Sequence, residues 1–175
     1  MILIDLNLNR NGISGKGMVS LAAGIKVNKS LKKLSLSRND IEEDGLEAFS
    51  DALSTNKDLE DLNLSENQIS NGGLIALSKC LPLNSSLKNL DLSKNAFGTP
   101  GLIPFCAELE TNGGIVNLNL ARNKDINEDE NGVKRLAACL QFNSYIKILD
   151  LNGIKLQKVC LKQNFLPSLQ QNVFI

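Results

Sequence analysis

The chain has 175 residues, 19 basic against 19 acidic, with 42% hydrophobic residues, no histidine and no tryptophan. That length fits one domain, and a formal net charge of zero argues against nucleic acid as the main partner, because phosphate binding rests on a positive excess. The missing histidine removes the commonest general acid–base group and the Ser-His and Cys-His nucleophile pairs.

In chain order, the first recognisable unit reads Leu3, Leu6, Leu8, Asn11, Ile13, and the same spacing returns as Leu31, Leu34, Leu36, Asn39, Ile41. It continues as Leu59, Leu62, Leu64, Asn67, Ile69, then as Leu87, Leu90, Leu92, Asn95, Phe97. The fifth unit has Ile115, Leu118, Leu120, Asn123 and, one residue late, Ile126; the sixth has Ile146, Leu149, Leu151 and Ile154 in place of the Asn. Within each unit the Leu-x-Leu alternation predicts a short strand with one buried face. A spacing of four then predicts a helix: Gly17, Leu21, Ile25; Gly45, Phe49, Leu53; Gly73, Leu77, Leu81; Gly101, Phe105, Leu109; Gly132, Leu136, Leu140. Strand and helix alternate with short connections, so the strands are expected to lie parallel. Stacked units of that kind curve, with strands on the concave face and helices on the convex one.

This pattern resembles the leucine-rich repeat family, and its 28-residue period with a full helix is similar to the ribonuclease-inhibitor-like class. The resemblance implies an α/β solenoid, a single leucine-rich repeat domain over residues 1–175 with repeats starting near 3, 31, 59, 87, 115 and 146, and residues 155–175 as a C-terminal closing segment. It also implies a non-catalytic protein–protein interaction module or scaffold, with a cytoskeletal or ciliary assembly as a setting. The alternatives it leaves open are a GTPase-activating domain of the Ran-activating type and the ligand-sensing repeats of an intracellular immune receptor.

Two asparagine columns accompany the repeat. Asn11, Asn39, Asn67, Asn95 and Asn123 follow the strands, where a carboxamide supplies both donor and acceptor to turning backbone. Asn28, Asn56, Asn84, Asn112 and Asn143 follow the helices, and there a left-handed helix-ending conformation is expected.

No metal set or nucleotide loop is legible, and the expectation is a chain without a cofactor. The acidic stretch Asp125, Glu128, Asp129 and Glu130 resembles a calcium loop only in its alternation: Glu130 stands where such a loop needs Gly, and Leu136 where it needs Glu. Cys80, Cys106 and Cys139 occupy positions that carry small residues in other repeats. They read as packing thiols and favour a reducing cytoplasmic setting. No apolar run approaches the roughly 18 residues of a membrane helix, and no membrane association is expected.

Candidate partner contacts are therefore sought on the concave face. Its columns are Asp5, Lys33, Asp61, Asn89, Asn117, Ile148; Asn7, Ser35, Asn63, Asp91, Asn119, Asp150; and Asn9, Ser37, Ser65, Ser93, Ala121, Asn152. Asp91 is a candidate from the second. A mostly basic ridge at the strand exits, Arg10, Arg38, Glu66, Lys94 and Arg122, carries the long side chains best suited to grip another protein. Phe142 and Tyr145, aromatic where other repeats carry small or polar residues, are the remaining candidates. Ile2, Leu3 and Ile4 open the first strand with nothing to cover them, so a preceding repeat, another domain or another chain is expected there, with the sequence a piece of a longer protein.

Overall fold

A computed structural model describes residues 2–123, 126 and 130–154. Six strands, β1 (Asp5–Asn7), β2 (Lys33–Ser35), β3 (Asp61–Asn63), β4 (Asn89–Asp91), β5 (Asn117–Asn119) and β6 (Ile148–Asp150), alternate with helices α1 (Gly15–Val27), α2 (Glu43–Thr55), α3 (Asn71–Ser78), α4 (Thr99–Leu109) and α5 (Glu130–Phe142). The strands form one open parallel sheet in sequence order. Register is strict: Asp5 faces Lys33, Lys33 faces Asp61, Asp61 faces Asn89 and Asn89 faces Asn117, before the longer step from Asn117 to Ile148.

Every strand is so short because only its central leucine is needed to reach the core. Leu34, Leu62, Leu90, Leu118 and Leu149 are buried, joined from the strand exits by Leu36, Leu64, Leu92 and Leu120. Met18 of α1, Phe49 of α2 and Phe105 of α4 fill the same continuous core from the helix side. Neighbouring helices approach closely at the glycine column. A Cβ on Gly45 would lie 2.7 Å from the Met18 Cβ and 3.0 Å from the Gly15 backbone, and one on Gly101 would lie 2.9 Å from the Asn71 Cα. The outermost unit shows what stacking supplies: Leu3 is 48% exposed, whereas Leu31 and Leu59 in the same column are 3% and 0%.

The third repeat departs from the expected helix stripe. Helix α3 stops at Ser78, and Leu81, the last residue of that stripe, lies in a separate 3₁₀ turn, Leu81–Leu83. Pro82 is the reason: its ring collides with the carbonyl four residues back and it has no N–H to continue the helix. Leu81 is still buried, so the core contact survives the change of backbone.

Both asparagine columns are buried ladders. In the first, Asn39 Nδ2 donates to the carbonyls of Leu8 (3.0 Å) and Leu36 (2.8 Å), while its Oδ1 accepts from the backbone N–H of Asn11 (2.9 Å) and Ile13 (3.0 Å). Asn95 repeats all four bonds two units on, and Asn67 and Asn123 repeat both donated bonds with a single accepted one, from Asn39 and Asn95 N–H. The second column corrects the left-handed expectation, since Asn28, Asn56 and Asn84 have φ of −71°, −72° and −113° with extended ψ. It is a second ladder: Asn56 Nδ2 donates to the carbonyls of Ile25 (2.8 Å) and Asn28 (3.0 Å), and its Oδ1 accepts from Asp58 and Leu59 (2.9 Å each). Asn84, Asn112 and Asn143 do the same between later units.

Candidate functional site

The sheet face turned away from the helices is an open trough of about 580 Å³ that crosses all six strands, from Asp5 on β1 to Asp150 on β6. Its two columns are built differently. In the second, each Asx side chain caps the turn that follows its own strand: Oδ1 of Asn7, Asn63, Asp91, Asn119 and Asp150 accepts from the backbone N–H two residues on, at 2.8–3.0 Å. Asp91 is thus first a turn-forming residue, with its second carboxylate oxygen left for the trough. Ser35 is too short for this, and Asn9 of the preceding repeat reaches across instead, accepting from Ser37 N–H (2.7 Å) and the Ser35 hydroxyl (2.8 Å).

The first column is a directional chain that the sequence did not disclose. Asp61 accepts only, so Asn89 must present its NH₂ to it; Asn89 Oδ1 then accepts from the NH₂ of Asn117. Lys33 closes the other side of Asp61 at 3.3 Å. The chain therefore runs out at Asn117 Oδ1, because the next position is Ile148. Among the described residues this oxygen is the one buried side-chain polar atom with no hydrogen-bond partner. Ile148 itself is 56% exposed.

The third column does not face the trough as expected. Ser37, Ser65, Ser93 and Ala121 are all buried, with the Ser65 hydroxyl bonded to that of Ser37. They lie in the tight turn where the strand ends, and small side chains are needed there for packing.

The ridge residues occupy the left-handed part of the same turn. Arg10, Arg38, Glu66, Lys94 and Arg122 have φ between 55° and 60°, and Gly153 takes their place in the sixth unit at φ 80°. Long side chains are uncommon in this conformation, and here it aims each one outward along one line. Three of the five are engaged with each other. Arg38 donates from Nε and Nη2 to Glu66 (3.0 and 3.2 Å), and Lys94 Nζ donates to the same carboxylate (2.9 Å). Those bonds, from Lys94 first and Arg38 second, hold the Glu66 carboxyl below its ordinary value of 4.5. Among the described residues Arg10 and Arg122, at the two ends, have no side-chain partner and are exposed.

At the far end Phe142 is 72% and Tyr145 53% exposed. The Tyr145 ring lies over Gly113 of the preceding unit. Asp125, Glu128 and Asp129 of the acidic stretch, and the expected closing segment 155–175, lie outside the described residues. Cys80, Cys106 and Cys139 are free and buried; burial pushes the Cys80 thiol up to about 11. A contact with Cys139, together with burial, pushes the Cys106 thiol well above its usual range. Among the described residues no group of three or more His, Cys, Asp or Glu is placed to hold a metal ion, and no helix is long and apolar enough to cross a membrane.

A family model described as Leucine Rich repeat matches residues 3–22, 27–50, 55–78 and 83–106, together more than half of the chain. No curated protein matches it. Among solved structures it is similar to leiomodin-1 actin-binding site 2, with a TM-score of 0.66 and 20% identity, covering 77% of each chain. It is also similar to the tropomodulin C-terminal domain of Caenorhabditis elegans, with a TM-score of 0.65 and 13% identity, covering 97% of this chain and 84% of that one. At these identities the likeness is one of fold.

Proposed function

The chain belongs to the leucine-rich repeat family, and from that premise we propose that it is a non-catalytic interaction module of the ribonuclease-inhibitor-like class whose trough receives another protein. The observation that carries this reading is the trough itself, open across six strands and floored by side chains already fixed by turn and ladder bonds. A surface held in place before binding loses little further freedom when a partner arrives. Arg10, Arg38, Glu66, Lys94 and Arg122 border that surface, and Phe142 and Tyr145 are exposed aromatics of the last described units.

A cytoskeletal assembly in the cytoplasm, including a ciliary one, is the setting we propose. Its support is that the leiomodin-1 domain of similar fold is an actin-binding site. The test places a photo-crosslinking residue at Asn63, in the trough, or at Ser20, on the exposed side of α1, and adds filamentous actin or cytoskeletal extract. Capture through position 63 alone is expected; capture through position 20 alone overturns the reading. Stimulated GTP hydrolysis by a small GTPase in the same samples overturns its non-catalytic part.

A further inference from the structure

We propose that the trough selects a basic segment of its protein partner, and that the segment is anchored where the first-column chain of amides ends, at Asn117 and Ile148. This rests on the interaction-module reading and adds the chemistry of the partner. The chain as a whole is neutral, yet its charge is sorted. Asp5, Asp61, Asp91 and Asp150 line the trough against a single ammonium, Lys33, which is already spent on Asp61 at 3.3 Å. That leaves three negative charges on the floor. On the bordering ridge Arg10, Arg38, Lys94 and Arg122 stand against Glu66 alone, which leaves three positive charges. A nucleic acid or an acidic peptide is repelled by such a floor, whereas lysine or arginine side chains are drawn to it.

The second observation is independent of charge. Because Asp61 can only accept, the amides of Asn89 and Asn117 are forced to point the same way, and the final oxygen, Asn117 Oδ1, is left without a donor beside Ile148. Ile148 is an exposed apolar side chain on the trough floor, next along the strand ladder to Asn117. An arginine or lysine offers both things missing here: a hydrocarbon stem to lie on Ile148 and N–H donors at its tip. A side chain lying on Ile148 places its N–H groups toward the open end of the amide chain, with Asp150 on the same strand as Ile148 supplying the countercharge.

The experiment measures binding of two fluorescein-labelled peptides to the whole chain, one of alternating arginine and leucine, the other of alternating glutamate and leucine. The basic peptide is expected to bind and to weaken as salt is raised. Asp91→Asn with Asp150→Asn keeps the turn caps, which asparagine already makes at Asn63 and Asn119, and removes two charges from the trough floor, so affinity should fall about tenfold. Ile148→Asn completes the amide chain and should weaken binding as well, with thermal unfolding unchanged or raised as the control for folding. Equal affinity of the native chain and these variants for the basic peptide, or preference for the acidic one, overturns the proposal. The outcome is separable from that of the parent reading: a partner crosslinked at position 63 through an acidic or uncharged segment keeps the interaction module and removes the basic-segment selection.

Discussion

The Asn67 carboxamide touches four backbone groups belonging to two neighbouring repeats, accepting from Asn39 N–H and donating to Leu36, Leu64 and Ser65 carbonyls. Replacing it by alanine strands the buried Asn39 N–H and takes one of two accepted bonds from each of the Leu36, Leu64 and Ser65 carbonyls, and Asn67→Ala should cost about 2–3 kcal/mol in chemical denaturation. Asn56→Ala in the second ladder should cost a similar amount, whereas a mere helix cap would lose less. That second ladder was legible in the sequence as a column but not as a conformation. Asparagine suits both the left-handed and the extended backbone, and only the positions of neighbouring carbonyls decide between them. The left-handed residues are instead Arg38, Glu66, Lys94 and their column, whose identities give no hint of it. Glu66 also sets a pH dependence. Its folded value lies below its unfolded one, so its stabilising contribution is complete above about pH 4.5 and is lost as pH falls through the folded value. Glu66→Gln should therefore flatten the acid limb of the stability curve, measured as unfolding midpoint against pH. For the thiols, burial predicts that in a Cys160→Ser background Cys80, Cys106 and Cys139 resist a disulfide reagent until the protein is unfolded.

Among the elements, α4 is tied at its start to the preceding unit, where Gly98 and Gly101 N–H both donate to Asn71 Oδ1 at 2.8 and 3.1 Å. A methyl group on Gly101 would press into Asn71, so Gly101→Ala should destabilise by about 1–3 kcal/mol despite alanine's better helix propensity. The glycine column was visible in the sequence as part of a stripe of four, but periodicity alone reads it as a buried face rather than as a point of backbone contact. The exit of strand β3 shows the ordinary case: Leu64→Ala, at a fully buried position, should cost about 2–5 kcal/mol. Strand β6 shows the opposite one. Ile148→Asn supplies the donor that Asn117 Oδ1 lacks, and a gain of about 1 kcal/mol is expected. An unfolding midpoint that falls instead removes the amide-chain argument.

At the scale of the molecule the sequence was nearly sufficient, because strand order, register and core follow from a spacing that any reader can count. The trough's charge was less legible. Ridge and floor residues are neighbours in sequence, and only the left-handed turn at Arg38 and its equivalents separates the two into adjoining surfaces. Removing residues 59–86 joins Asp58 to Leu87 and preserves the spacing, so the shortened chain should still unfold in one cooperative step at a lower midpoint. Loss of cooperativity in calorimetry would show that the third repeat, with its 3₁₀ turn, is not interchangeable with the others. The two asparagine ladders carry a further consequence. The rungs span the boundaries, and part of each repeat's backbone is satisfied only by its neighbour, so the quantity that stability counts is the seam and not the repeat. The six described strands make five seams. A protein of this construction measures its length in strands and its resilience in the joints between them, and an isolated repeat, however good its sequence, has none.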